Sequence, residues 1–156
     1  MSAIINRLAE LGLSLPEVAP PVAAYVPAVV HGDLVYTSGQ LPFTAGVLPA
    51  TGKVGEGEGL VSAADARAYA GTAVLNALAA VAAEIGSLDR VTRIVKLTGF
   101  VASDPSFFGQ PGVINGASEL LGEIFGDVGV HARSAVGVAV LPLDSPVELE
   151  LVVAYA

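Results

Sequence analysis

The chain has 156 residues, 53% hydrophobic and 14% charged, with no cysteine and a formal net charge of −8. Seven Lys and Arg against fifteen acids leave no basic run to neutralise phosphates, so nucleic-acid binding is not expected. Missing thiols exclude disulfides, thiolate nucleophiles and thiolate metal sites, and His31 and His131 do not stand at metal-ligand spacing.

The length predicts one domain over residues 1–156. So little charge on so apolar a chain favours burial between subunits, although abundant Ala and Val would raise the apolar count in any case. The start, up to Leu13, has no secretory pattern. No apolar run reaches bilayer length without glycine or charge. A cytoplasmic protein without a membrane partner is expected.

Ser2 to Leu11 predicts a short helix with Ile4, Ile5, Leu8 and Leu11 on one side. Pro16, Pro20 and Pro21 then enforce an extended connector, so residues 1–20 read as a helix and connector added to the main unit. Val26 to Val30 and Leu34 to Ser38 flank His31-Gly32-Asp33, the pattern of a hairpin. Gln40 to Gly59 is too broken by Gly and Pro for regular structure, and a loop of that length is often functional or mobile.

Ser62 with Asp65 resembles a capping box, and Gly86 stands where a C-terminal cap belongs. The longest helix runs between them, with Val74, Leu75, Leu78, Val81, Ala82 and Ile85 on its apolar side. Val91 to Val101 reads as a strand by its β-branched content. A second main helix is predicted over Val113 to Phe125. Arg133 to Leu141 and Val147 to Val153 are the last strands, with Pro142 to Pro146 turning between them. The order is β-β-α-β-α-β-β, which gives an α+β fold: a mixed sheet with two helices packed on one face.

The chemistry concentrates near the C-terminal end. Arg133 opens an otherwise apolar strand, and an unpaired buried charge costs several kcal/mol or more, on the order of the desolvation penalty of a lone ion. Arg133, Ala135, Gly137 and Ala139 share a face by period two, and the small residues leave room for a small acid. The alternative is that Arg133 pairs with Glu148 or Glu150 and the small residues only receive a helix. A plain hairpin about Asp144 would set Glu148 opposite Val140, leaving Arg133 roughly 24 Å away at strand rise. The pair could then meet only through another strand order or across a subunit boundary. Glu148 and Glu150 share one face and are as easily solvated as functional. Tyr25 is a core-edge aromatic or a phenol lining a pocket. Ser38-Gly39 ends a strand or exposes an N–H to an anion. Asn115 caps the second main helix or bonds a ligand.

Taken together, Val35 to Pro42 (VYTSGQLP), the Ala-Arg-Ser strand with Leu141-Pro142, and Val147-Glu148-Leu149-Glu150 resemble the Rid family of reactive-intermediate deaminases. These are YjgF-like proteins, formerly labelled L-PSP endoribonucleases. Asn76 and Val95-Lys96 fit the same pattern. The resemblance implies a chorismate-mutase-like fold and a homotrimer with clefts between subunits. It implies a 2-imino or 2-enamino acid deaminase giving 2-oxo acids and ammonia, with no metal or organic cofactor. Arg133 would grip the substrate carboxylate and Glu148 would hold the water. Tyr25, Ser38, Gly39, Asn115 and Ala135 would line the site. Ala135 stands where many deaminating members carry cysteine. The long 48–59 loop and the Asn115 to Ser118 run suggest a divergent branch. A non-catalytic protein that holds small carboxylates at the same clefts is the competing expectation. Endoribonuclease activity rests on the older label alone.

Overall fold

A computed structural model describes residues 2–18, 20 and 24–156. Pro21, one of the three prolines expected to stiffen the connector, lies outside the described residues. Eight elements follow in chain order: α1 (Ala3–Glu10), β1 (Ala28–His31), β2 (Leu34–Thr37), α2 (Ala63–Ile85), β3 (Val91–Ala102), α3 (Gln110–Phe125), β4 (Ala132–Val138) and β5 (Val147–Tyr155). The five strands form one sheet in the order β1-β2-β5-β3-β4. Among neighbouring strands, β3 and β4 pair in parallel and the others antiparallel. The expected α+β fold with a mixed sheet is therefore the fold of the chain, and α2 and α3 lie together on one face of it.

Each long helix starts and stops for a local reason. Ser62 Oγ accepts from the Asp65 amide at 3.1 Å, and Gly86 closes α2 in a left-handed conformation, φ 82°. Ala66, Ala70, Ala73 and Ala77 let α2 lie close on the sheet, while Val74, Leu78, Val81 and Ile85 fill the space between. By length and composition α2 alone among the described helices would suffice to cross a bilayer, yet it serves as a core helix. α3 begins one turn earlier than Val113, because Pro111 is tolerated in a first turn where its missing N–H costs nothing. α1 docks beside α3 by burying Leu8 and by donating its Ala3 and Ile4 amides to the Asp89 carboxylate.

The two crossovers set the topology. β3, α3 and β4 form a parallel crossover, whereas β5 enters between β2 and β3. The last two strands thus form no hairpin. Glu148 and Val136 both pair with Phe100, from opposite sides. Register shifts between Val91 and Arg93 and between Ile94 and Lys96 turn Val91, Ile94 and Leu97 all inward despite their odd spacing. The 40–59 loop has no helix or strand, as expected, but it is tied down. Gln40 bridges Leu149, Val54 bridges Val61 and Ser103, and Val54 is fully buried.

Candidate functional site

β4 is an edge strand, and its register fixes what each side chain meets. Arg133 is level with Leu97, and Ala135 with Gly99. Leu97 is fully buried under the helices, so Arg133 also points to the helix face. There its Nη1 donates to Asn115 Oδ1 at 2.7 Å and to Ser118 Oγ at 3.3 Å. Asn115 and Ser118 stand three apart on α3 and so share one side of it. Because α3 starts at Gln110, Asn115 is interior to the helix and not its cap. Its carboxamide is free to hold the guanidinium.

Neither expected protein partner reaches Arg133. Among the described residues the ion pairs are Arg7–Glu10 and Arg67–Glu119, both on the surface. Glu148 lies two strands away and three residues along, about 14 Å between α-carbons at standard strand spacing. Since Arg133 is level with inward Leu97 and Glu148 with Phe100, the two side chains leave the sheet on opposite faces.

The room expected along β4 is only partly there. Ala135 packs against the core. A side chain at Gly137 would meet Gln110 Nε2 at 2.8 Å, and that Nε2 donates to Ser103 Oγ. Gln110 therefore fills the space Gly137 leaves. Open space remains beside Arg133 itself, in a cleft of about 300 Å³ lined by Ser118, Gly122, Gly129, Val130, His131 and Arg133.

The remaining expected residues gather elsewhere. Gln40 exchanges both backbone hydrogen bonds with Leu149, which sets Gly39 against Glu148. A Cβ at Gly39 would lie 2.9 Å from Glu148 Cδ and 3.3 Å from Cγ. The glycine thus serves the close approach of a carboxylate. Ser38 donates its hydroxyl to the Val26 carbonyl at 2.6 Å, and its amide to the Pro27 carbonyl. This ties the strand end to the segment that carries exposed Tyr25. Glu148 is half-buried, and burial, followed by the neighbouring Glu150 charge, pushes its carboxyl above the ordinary value of 4.5. Gly39 and Glu148 lie together beside Ser38, with Tyr25 on the segment that Ser38 ties down. Arg133, Asn115 and Ala135 form a separate group.

Ser118 and His131 were not singled out for a role by sequence reasoning. His131 Nε2 lies 2.9 Å from Ser118 Oγ. The signal was present: His131 is two residues before Arg133 and Ser118 three after Asn115, the spacings that share a strand face and a helix face.

Residues 5–156 match the family described as YjgF/chorismate mutase-like, a description that also carries a candidate endoribonuclease label. Protein TCP17 of Trypanosoma cruzi is 42% identical over 151 residues, covering 96% of this chain and 92% of that protein. The crystal structure of Atu1372 from Agrobacterium tumefaciens, of unknown function, is 43% identical with a TM-score of 0.89 over 98% of this chain and 92% of that one. Escherichia coli TdcF with bound serine is 25% identical, with a TM-score of 0.66 over 90% of this chain and 94% of that one.

Proposed function

This chain belongs to the YjgF/chorismate mutase-like family, and from that footing we propose that it hydrolyses 2-imino or 2-enamino acids to 2-oxo acids and ammonia. One observation carries the reading: Arg133 is half-buried and held by the neutral groups Asn115 and Ser118, and no carboxylate among the described residues pairs with it. A guanidinium so placed lacks a counter-charge and matches a carboxylate through two parallel hydrogen bonds. That TdcF binds serine, itself a small carboxylate, supports the same ligand class.

Two half-sites that cannot meet within one chain call for a second copy. The sheet face away from the helices exposes Val29, Tyr36 and Val136, side chains that association would cover. In the proposed assembly, a homotrimer, one protomer brings Arg133 with Asn115 and a neighbour brings Tyr25, Ser38, Gly39 and Glu148. The arginine fixes the substrate. Water then adds to the imine carbon, and Glu148 takes one proton from that water and delivers it to nitrogen, giving a carbinolamine. The carboxylate next takes the remaining hydroxyl proton and passes it to the amine, so the C–N bond breaks and ammonia leaves as the C=O forms. A carboxyl raised by burial is suited to carry that proton in both directions. Imine hydrolysis has a low intrinsic barrier, so positioning accounts for the acceleration.

The test is direct. An amino-acid oxidase generates 2-iminobutyrate or 2-iminopropionate, and its decay is followed with and without the protein. Acceleration lost in Arg133→Ala is expected, with sedimentation showing a three-chain species. No acceleration by wild type refutes the reaction for these substrates. A second reading, binding without turnover, draws on the bound serine of TdcF and predicts calorimetric binding of 2-oxobutyrate with no rate effect. The net charge of −8 weighs against ribonuclease action.

A further inference from the structure

Arg133 ends a chain of groups that the proposed reaction leaves unused. His131 Nδ1 lies 2.6 Å from the Gly129 carbonyl, which only accepts, so that nitrogen carries a proton. In the neutral ring Nε2 is then the acceptor, and the Ser118 hydroxyl, 2.9 Å away, donates to it. With its hydrogen committed, Ser118 Oγ turns lone pairs toward Arg133 Nη1 at 3.3 Å. The other Nη1 hydrogen goes to Asn115 Oδ1. Both hydrogens of Nη1 are thereby used.

The origin of this chain is fixed in the backbone. Gly129 is buried in a 3₁₀ turn (Gly126–Gly129), where any side chain would collide with the Leu121 carbonyl. Arg93 Nη1 clamps the turn by donating to the Asp127 and Val130 carbonyls, each at 3.2 Å. The Gly129 carbonyl therefore cannot swing away, and its direction is passed through His131 and Ser118 to the guanidinium.

A guanidinium offers a carboxylate two forks, Nη1 with Nη2 or Nε with Nη2. We propose that Ser118 and His131 are positioning residues that commit Nη1 of Arg133, leaving the Nε–Nη2 edge as the fork open to a substrate carboxylate. This rests on the reading of Arg133 as the anion anchor. It adds an orientation: a carboxylate on the other fork would have to displace Asn115 or Ser118.

Nitrogen NMR of the Arg133 guanidinium, assigned with Arg133→Lys, and calorimetry with 2-oxobutyrate test this without requiring turnover. In wild type the Nη1 hydrogens are expected to resolve through slowed rotation, and 2-oxobutyrate should shift Nε–H while leaving Nη1 in place. Ser118→Ala and His131→Ala should average the Nη1 signal and weaken 2-oxobutyrate binding about tenfold, as for one hydrogen bond to a charged group. Ser118→Thr, which keeps the hydroxyl, should restore both. If Ser118→Ala keeps the resolved signal and the affinity while Arg133→Ala loses binding, the positioning role is wrong and the anion anchor stands. Should Arg133→Ala bind 2-oxobutyrate as well as wild type, the anchor falls and the positioning role with it.

Discussion

Gly39→Ala offers a sharp test of the Glu148 half-site. The backbone at Gly39 cannot retreat: Ser38 N–H is bound to Pro27 O at 2.8 Å, and Gln40 N–H to Leu149 O at 2.7 Å. A new methyl would overlap Glu148 Oε1 outright and lie 2.9 Å from Cδ, well inside the 3.5–4.0 Å or so of ordinary carbon contacts. The carboxylate must therefore move by roughly 1 Å, leaving its rotamer at a cost of about 0.5–1.5 kcal/mol or swinging toward solvent. A cost near 1 kcal/mol lowers Tm by about 2–4 °C in a chain of this size. A catalytic group displaced by about 1 Å can cost about 100-fold in rate. Steady-state ammonia release should thus fall about 100-fold in G39A, while 2-oxobutyrate affinity, held by Arg133, changes little. Independently of turnover, the Glu148 carboxyl titration should move down toward the ordinary value as the group gains water. Wild-type rate together with an unchanged titration in G39A would refute the reasoning.

Glu148→Gln should reveal the burial penalty through pH. The folded chain holds this proton more tightly than the unfolded chain, so stability declines as pH rises above 4.5 and through the raised value. E148Q lacks that loss, and its Tm advantage over wild type should widen across the window and then level off. Gly99→Ala places a methyl 2.6 Å from Ile114 Cγ1. It should destabilise by about 1–3 kcal/mol through overpacking, and it should weaken 2-oxobutyrate binding by shifting Asn115, which calorimetry would detect. Asp89→Ala removes the acceptor of Ser2, Ala3 and Ile4. Limited proteolysis should then cut the connector after α1 several-fold faster, with the main transition nearly unchanged. In wild type the same undocking should occur as pH falls through the Asp89 value, which the Ile4 hydrogen bond lowers.

Local sequence was enough for most elements, because their causes are local. Ser62 and Gly86 bound α2 where capping rules put them, the His31-Gly32-Asp33 turn marked the β1–β2 hairpin, and alternating faces marked β5. α3 starts at Gln110, ahead of the expected Val113, since Pro111 is harmless in a first turn. That one turn changes Asn115 from a cap into a guanidinium partner. Glycine roles were visible only in part: Gly137 reads as vacancy in the sequence, but Gln110, distant in the chain, fills it.

The sequence by itself determined which groups exist for chemistry: an arginine at the start of a late strand, two late glutamates, a Ser-Gly pair and a set of elements that makes a mixed sheet. The tertiary structure decided which of them meet. Inserting β5 between β2 and β3 puts Arg133 and Glu148 on different strands, levels and faces. The same arrangement gives the arginine neutral partners from α3 in place of a carboxylate. Strand order and register depend on burial summed over the whole sheet, and no short window of residues contains that sum.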